Sequence, residues 1–215
     1  MLHHALRIKI PPVAPTVTYV GSNNKGSTQA VTQTYTNEPI GTAAADRFVV
    51  VAVAGRGGAS ATVTIGGTNA PSIVTASSGS ANNIGLFGLL VTSGTTATIV
   101  VTYNASSTSA IAVYNVNLGS ASSTPTDTDA AQKGTSVSTI SMTALTVPTN
   151  GVAIVAGYYA SNGTLTWTGA SADASVVFGT SRILGAAHTS TAGTNTITLK
   201  NTASNIALLV GAAWG

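Results

Sequence analysis

The side chains in this 215-residue sequence able to do acid–base chemistry are few: three histidines, His3, His4 and His188, and five acids, Glu38, Asp46, Asp127, Asp129 and Asp173. There is no cysteine, which excludes disulfides and thiol-based metal or redox chemistry. Catalysis needs a titrating group, or a nucleophile held against a base. His188 sits among many Ser and Thr residues, and a Ser-His-Asp constellation can be drawn from it. A hydroxyl-rich chain permits that drawing almost anywhere, and no G-x-S-x-G elbow supports it. His188 is therefore expected to be a hydrogen-bonded strand histidine; a hydrolase would need it beside a carboxylate in a cleft. Asp127-Thr128-Asp129 offers oxygens of the kind Ca²⁺ prefers, but lacks the further spaced ligands of a dedicated loop and reads as solvated linker. Asp46-Arg47 reads as a pair of solvated charges before a buried strand. The Gly clusters at Gly55–Gly58 and Gly66-Gly67 open no helix, so they are turns and not phosphate cradles. No catalytic, cofactor-binding or metal-binding residue is assigned, no cofactor is expected, and nothing in the chain resembles an enzyme.

Two other groups of residues bear on binding. Tyr158, Tyr159, Trp167 and Trp214 cluster late in the chain, and such rings, when exposed, stack sugars. Trp167 falls where the internal repeat described below has Ile65, which suits a core-facing position better. The first 15 residues form a separate unit. They carry His3, His4, Arg7 and Lys9, followed by Pro11, Pro12 and Pro15, which favour an extended run that cannot join a central strand. This stretch is either an arm that grips a partner through those four residues or a frayed terminus.

Composition narrows the class. Charged residues make up 6% of the chain, against about 25% in ordinary soluble proteins. Mean hydropathy is +0.36, too apolar for a disordered chain. The apolar runs near Phe48–Ala54 and Ile206–Trp214 are about half the ~18 residues a membrane-spanning helix needs. Basic residues near the start stand where a signal peptide would be apolar. The net charge of +3 is scattered, with no basic stripe interleaved with aromatics, so neither nucleic acid nor membrane is an expected partner. Few charges of either sign mean weak repulsion between copies, which favours assembly and a homo-oligomer.

The elements that must position these residues are strands. Short Val-, Ile- and Thr-rich runs alternate with Gly, Ser and Asn turns, and no segment holds a helical period. The run Arg47–Gly55 recurs as Val152–Gly157 when Gly55 is set on Gly157 (157 − 55 = 102). Thr62–Ile65 then falls on Thr164–Trp167. After shifts of register Thr98–Val101 falls on Thr196–Leu199, and Ile111–Tyr114 on Ile206–Leu209. The expected fold is all-β: a single two-layer antiparallel β-sandwich, jelly-roll-like, built from two pseudo-repeated halves. Residues 1–15 form the extended arm and 16–215 the sandwich, with pseudo-repeats at about 46–117 and 150–214 and a low-complexity linker at 119–134. Halves of about 70 residues are small to stand alone without disulfide or metal, which favours one shared core over two tandem sandwiches.

Asp46–Val51, Ala61–Gly67, Gly151–Ile154 and Thr164–Gly169, with the Ser123–Thr128 linker and the closing Ala-Trp-Gly, resemble small hydroxyl-rich virion proteins of tailed bacteriophages. The resemblance covers most of the chain after about residue 40 and carries over no functional residue. It implies a non-enzymatic structural protein of the head or tail, localised in the virion and assembled in the host cytoplasm. A decoration or cement protein bound to the major capsid protein or another virion protein is the leading expectation. A receptor- or glycan-binding module of a tail or surface appendage is the alternative.

Overall fold

The structure is a computed structural model that describes residues 11–58, 61–79 and 81–215. Its strands are β1 (Thr16–Asn24), β2 (Ala30–Pro39), β3 (Arg47–Arg56), β4 (Ala61–Ile65), β5 (Thr68–Ala70), β6 (Ser72–Ser78), β7 (Asn82–Leu90) and β8 (Thr96–Asn117) in the first half. The second half holds β9 (Asp127–Val147), β10 (Val152–Tyr159), β11 (Leu165–Thr168), β12 (Ser171–Phe178), β13 (Arg182–Thr189) and β14 (Gly193–Trp214). Every pairing is antiparallel, and the strands form two sheets that pack face to face. The chain is an all-β sandwich.

Each sheet also folds over on itself, because β8 and β14 are too long for one layer. The first part of β8 pairs with β2 and β4, and its second part with β1 and β3. β14 does the same, pairing early with β11 and the end of β9, then with β10 and the start of β9. Register shifts where the strands change partners, at Ala30/Thr32 and at Lys200/Asn205/Ala207, supply the bends that such irregularities give a sheet. The order β4-β8-β3-β7-β6 thus repeats as β11-β14-β10-β13-β12.

Period-two alternation sends the apolar residues to three cores. Val50, Ala52 and Ala54 of β3 meet Ile154, Ala156 and Tyr158 of β10 in a core shared by both halves. Val49, Val51 and Val53 face the folded-over outer layer of the first half, with Tyr35, Val63, Ile99 and Tyr103. Ala153, Val155 and Tyr159 face the outer layer of the second, with Ile140, Met142, Ile197 and Leu199. Cover on both faces is why β3 and β10 read as continuous apolar runs. Gly55, which anchors the sequence repeat, leaves bare backbone for the Tyr103 ring: a Cβ there would lie 2.5 Å from it.

Three expectations need correction. The stretch 119–134 is linker only as far as Thr126, since β9 starts at Asp127 and pairs with the end of β14. Its Ser, Thr and Ala composition hid a strand that alternates between half-buried and exposed positions. The match of Ile111–Tyr114 to Ile206–Leu209 slips the register: Ile111 faces an outer core, whereas Ile206 shares the alternation of Leu208 and Val210, which face the shared core. An odd slip exchanges the two faces of a strand. The reading of Asp46-Arg47 as a solvated pair fails for Arg47, while Asp46 stays half-buried. Asp46 Oδ2 accepts the Gly119 N–H (2.8 Å), and Arg47 is fully buried.

Among the described residues Arg47 has no counter-ion. Its Nε donates to the Val91 carbonyl (2.6 Å), Nη1 to those of Gly41 (2.7 Å) and Gly94 (2.8 Å), and Nη2 to that of Ser93 (2.6 Å). Burial pulls its pKa down from the ordinary guanidinium value, but the group keeps its charge at neutral pH. The planar fork thereby ties the loop before β3 to the β7–β8 turn, closing one end of the first half. Of the arm, residues 11–15 run along the 119–120 turn, where Val13 N–H donates to Ser120 Oγ (3.0 Å) and its carbonyl accepts from Ser120 N–H (2.9 Å). His3, His4, Arg7 and Lys9 lie outside the described residues.

Replacing Arg47 by Met keeps the stem but takes the donor from four carbonyls, those of Gly41 and Val91 half-buried and those of Ser93 and Gly94 nearer solvent. It leaves a buried site without its hydrogen bonds. Equilibrium urea unfolding should show a loss of about 3–5 kcal/mol. Arg47→Lys should recover less than half, because one ammonium cannot span four diverging acceptors. Wild-type stability in Arg47→Met would contradict this account of the clamp.

Candidate functional site

The acidic and aromatic residues singled out in the sequence are mostly engaged in structure. Asp127 Oδ2 accepts the Thr146 N–H (2.6 Å) and Asp129 Oδ2 the Ala144 N–H (3.0 Å). Both belong to one strand, β9, whose two ends form the stacked edges of the second half. The carboxylates bridge these edges and cap N–H groups that an open edge leaves unpaired. Among the described residues no group of three or more His, Cys, Asp or Glu could hold a metal ion. Glu38 accepts from Asn23 Nδ2 (2.6 Å), and Lys25 lies 4.7 Å above the Tyr35 ring.

The aromatic cluster is dispersed through the interior. Tyr158 donates to Asn82 Oδ1 (2.7 Å) across the two halves, and Tyr159 donates to the Leu199 carbonyl (3.0 Å). Burial pushes both hydroxyls up to about 12. Trp214 is fully buried, edge-on to Phe48 at 6.1 Å, with its indole N–H on the Ser123 carbonyl (3.2 Å). Trp167 alone is half-buried, packed on the second outer core. These rings form no exposed stacking platform.

One polar constellation remains. Asp173 occupies a bulge in β12, between Ala172 and Ala174, and has no partner residue in the ladder with β13. A bulge re-aims a side chain, and here the carboxylate meets two groups from different elements. His188 Nδ1 lies 2.8 Å from Asp173 Oδ2 and 2.9 Å from Oδ1, which makes Nδ1 the protonated, donating nitrogen. The Tyr114 hydroxyl, from β8 of the other half, donates to Oδ2 at 2.9 Å. Burial and, next, the Asp173 charge hold the Tyr114 hydroxyl well above its ordinary pKa, so it stays a donor. Tyr19 packs edge-on against Tyr114 at 5.6 Å and covers the corner from β1. The His188 side chain is 34% exposed and that of Asp173 10%.

His188 is thus a hydrogen-bonded strand histidine, as expected, and the carboxylate a hydrolase would need is beside it. Asp173 and Tyr114 were missed. The available signal was an acid inside an alternating strand run; the partner from another half of the chain had no local signal.

No family model matches this chain, and no curated protein is similar to it. Among solved structures, a conserved protein of unknown function from Pseudomonas aeruginosa aligns over 94% of this chain and 98% of its own, at 10% identity and a TM-score of 0.30.

The tyrosine links the two halves through one neutral donor to a carboxylate. Tyr114→Phe should lower stability by about 1–2 kcal/mol in urea unfolding, because Asp173 keeps only the histidine. Nitrogen NMR should show His188 protonated on Nδ1 in its neutral form. An Nε2-protonated ring would contradict the network as drawn.

Proposed function

We propose that this protein is a structural component of a tailed-bacteriophage virion, most plainly a decoration or cement protein that binds the head shell as a homo-oligomer. The observation that carries this reading is how the few charges are used. Arg47 is spent on four carbonyls, Asp46, Asp127 and Asp129 on backbone N–H groups, and Glu38 on an asparagine amide. What faces solvent is mainly Thr, Ser, Asn and Gly on a body filled by three apolar cores. Such a surface repels its copies weakly and makes contacts through hydroxyls and backbone edges, which suits a lattice. The marginal strands β5, β6 and β12 lie at sheet ends. Residues 11–15 lie against the 119–120 turn, held by the two Val13–Ser120 hydrogen bonds.

The test is co-sedimentation of the purified chain with undecorated heads. The full chain should bind at saturable stoichiometry and raise the temperature at which heads release DNA. Removing residues 1–15 should cut binding about tenfold or more, the equivalent of about 1.4 kcal/mol. Absence of binding by the full chain would reject the structural role; undiminished binding by the truncated chain would reject the arm.

A further inference from the structure

The two halves build one corner of the sandwich from different chemistry. In the first half, β6 bulges between Ser72 and Val74 and pairs Ser72 with Phe87; in the second, β12 bulges between Ala172 and Ala174 and pairs Ala172 with Ala187. The spacing is the same along both hairpins (172 − 72 = 100; 187 − 87 = 100), and Ala76↔Ile84 corresponds to Val176↔Leu184. It sets Pro71, Ile73 and Gly88 where the second half has Ser171, Asp173 and His188, and Gly88 N–H does bond the Pro71 carbonyl (3.1 Å). In the first half the corner is closed by apolar groups: a Cβ on Gly88 would lie 2.8 Å from Ile73 and against the Phe48 ring. The fold is therefore satisfied without the three polar side chains, and their presence in one copy needs another reason.

Their arrangement supplies one. Ser171 is directly opposite His188 in the β12–β13 ladder, so both side chains leave the same face, with Cβ atoms about 4.5–5.5 Å apart. Ser171 is exposed. Asp173 holds His188 through Nδ1, which leaves Nε2, on the other side of the ring, to accept a proton. Tyr114 holds the carboxylate from behind. β12 is the last strand of its sheet, and its outward N–H groups can receive a developing oxyanion.

We propose that Ser171, His188 and Asp173 form a nucleophile–base–carboxylate site that hydrolyses small activated carboxylic esters. Ser171 Oγ attacks the ester carbonyl carbon while its proton passes to His188 Nε2. The carbon–oxygen bond to the leaving group then breaks. His188 gives its proton to the departing alkoxide, or to bulk water when a phenolate leaves as the anion, and an acyl-serine remains beside a neutral His188. Water, deprotonated by His188, attacks that acyl carbon, the acid leaves and Ser171 recovers its proton. Asp173 and Tyr114 are positioning residues. This activity is additional to the lattice role and does not depend on it.

The experiment incubates the full-length chain with p-nitrophenyl acetate, following p-nitrophenolate release and mapping acetylated peptides by mass spectrometry. Release should exceed that of free imidazole at equal concentration, with acetyl trapped on Ser171. Ser171→Ala and His188→Gln should each lower the rate about 10²-fold or more. Asp173→Asn should lower it while shifting the His188 tautomer seen by NMR, a readout that mere loss of stability would not move. Ser171→Ala removes one exposed hydroxyl at a place where the other half has proline, so it should leave the circular dichroism spectrum unchanged. Release no faster than imidazole, acetyl on lysine or histidine with Ser171 unmodified, or an undiminished rate in folded Ser171→Ala would each overturn the proposal.

Discussion

The constraint on which this structure depends is that its central strands are buried on both faces. An antiparallel sheet usually keeps one face wet and writes that face in polar residues. In β3 and β10 neither face is wet: even-numbered side chains meet the other half, and odd-numbered ones meet an outer layer of their own half. A chain with only 6% charged residues can supply such strands because Val, Ala, Ile and Gly fill most positions on both sides, and the polar groups of Arg47, Tyr158 and Tyr159 at the strand ends are hydrogen-bonded. The outer layers exist only because β8 and β14 run on past the inner layer and carry the sheet back over itself. Removing the shared core would expose two apolar faces at once, each made mostly of Val, Ile, Ala and aromatic residues. Full burial of one such side chain is worth about 1.5–3 kcal/mol, so the sum over the interface far exceeds what either outer core could replace.

The large polar side chains of this interior are held mostly by hydrogen bonds to neutral partners, although the buried Tyr35 hydroxyl and Trp167 indole N–H find no partner among the described residues. Arg47 shows the pattern, with a guanidinium on four carbonyls and, among the described residues, no carboxylate in reach. Tyr158 on Asn82, Tyr114 on Asp173 and Trp214 on Ser123 each close a donor across the seam or against the linker. These bonds fix the register of the halves more than they add stability, since a made bond nets about 1 kcal/mol while an unmade one costs about 1–3. The corner at Asp173 departs from that economy, because its histidine keeps one nitrogen turned to solvent.

Much of the fold was legible in the sequence, for a physical reason. A period-two pattern with turn residues between runs leaves little choice of class, and the recurrence of Arg47–Gly55 at Val152–Gly157 marks two copies of one design. The strand β9 was hidden because Asp, Thr, Gln and Lys at Asp127–Lys133 look like linker when the strand is an edge. Arg47 was misread because a charge at the start of a strand is ordinarily wet; only the converging carbonyls of Gly41, Val91, Ser93 and Gly94 reveal otherwise. His188 was visible as a lone candidate, but its partners were not. Asp173 is turned inward by a bulge that no residue type announces, and Tyr114 comes from a strand in the other half of the chain.

Whether the two halves form one cooperative body is the central question, and equilibrium urea unfolding addresses it most directly. Far-ultraviolet circular dichroism reports all the strands, while tryptophan fluorescence reports Trp214 in the shared core and Trp167 on the second outer core. The account predicts a single transition, with the same midpoint and slope by both probes. Two separated transitions, or a fluorescence change complete while half of the strand signal persists, would show that the halves are independent and would contradict it.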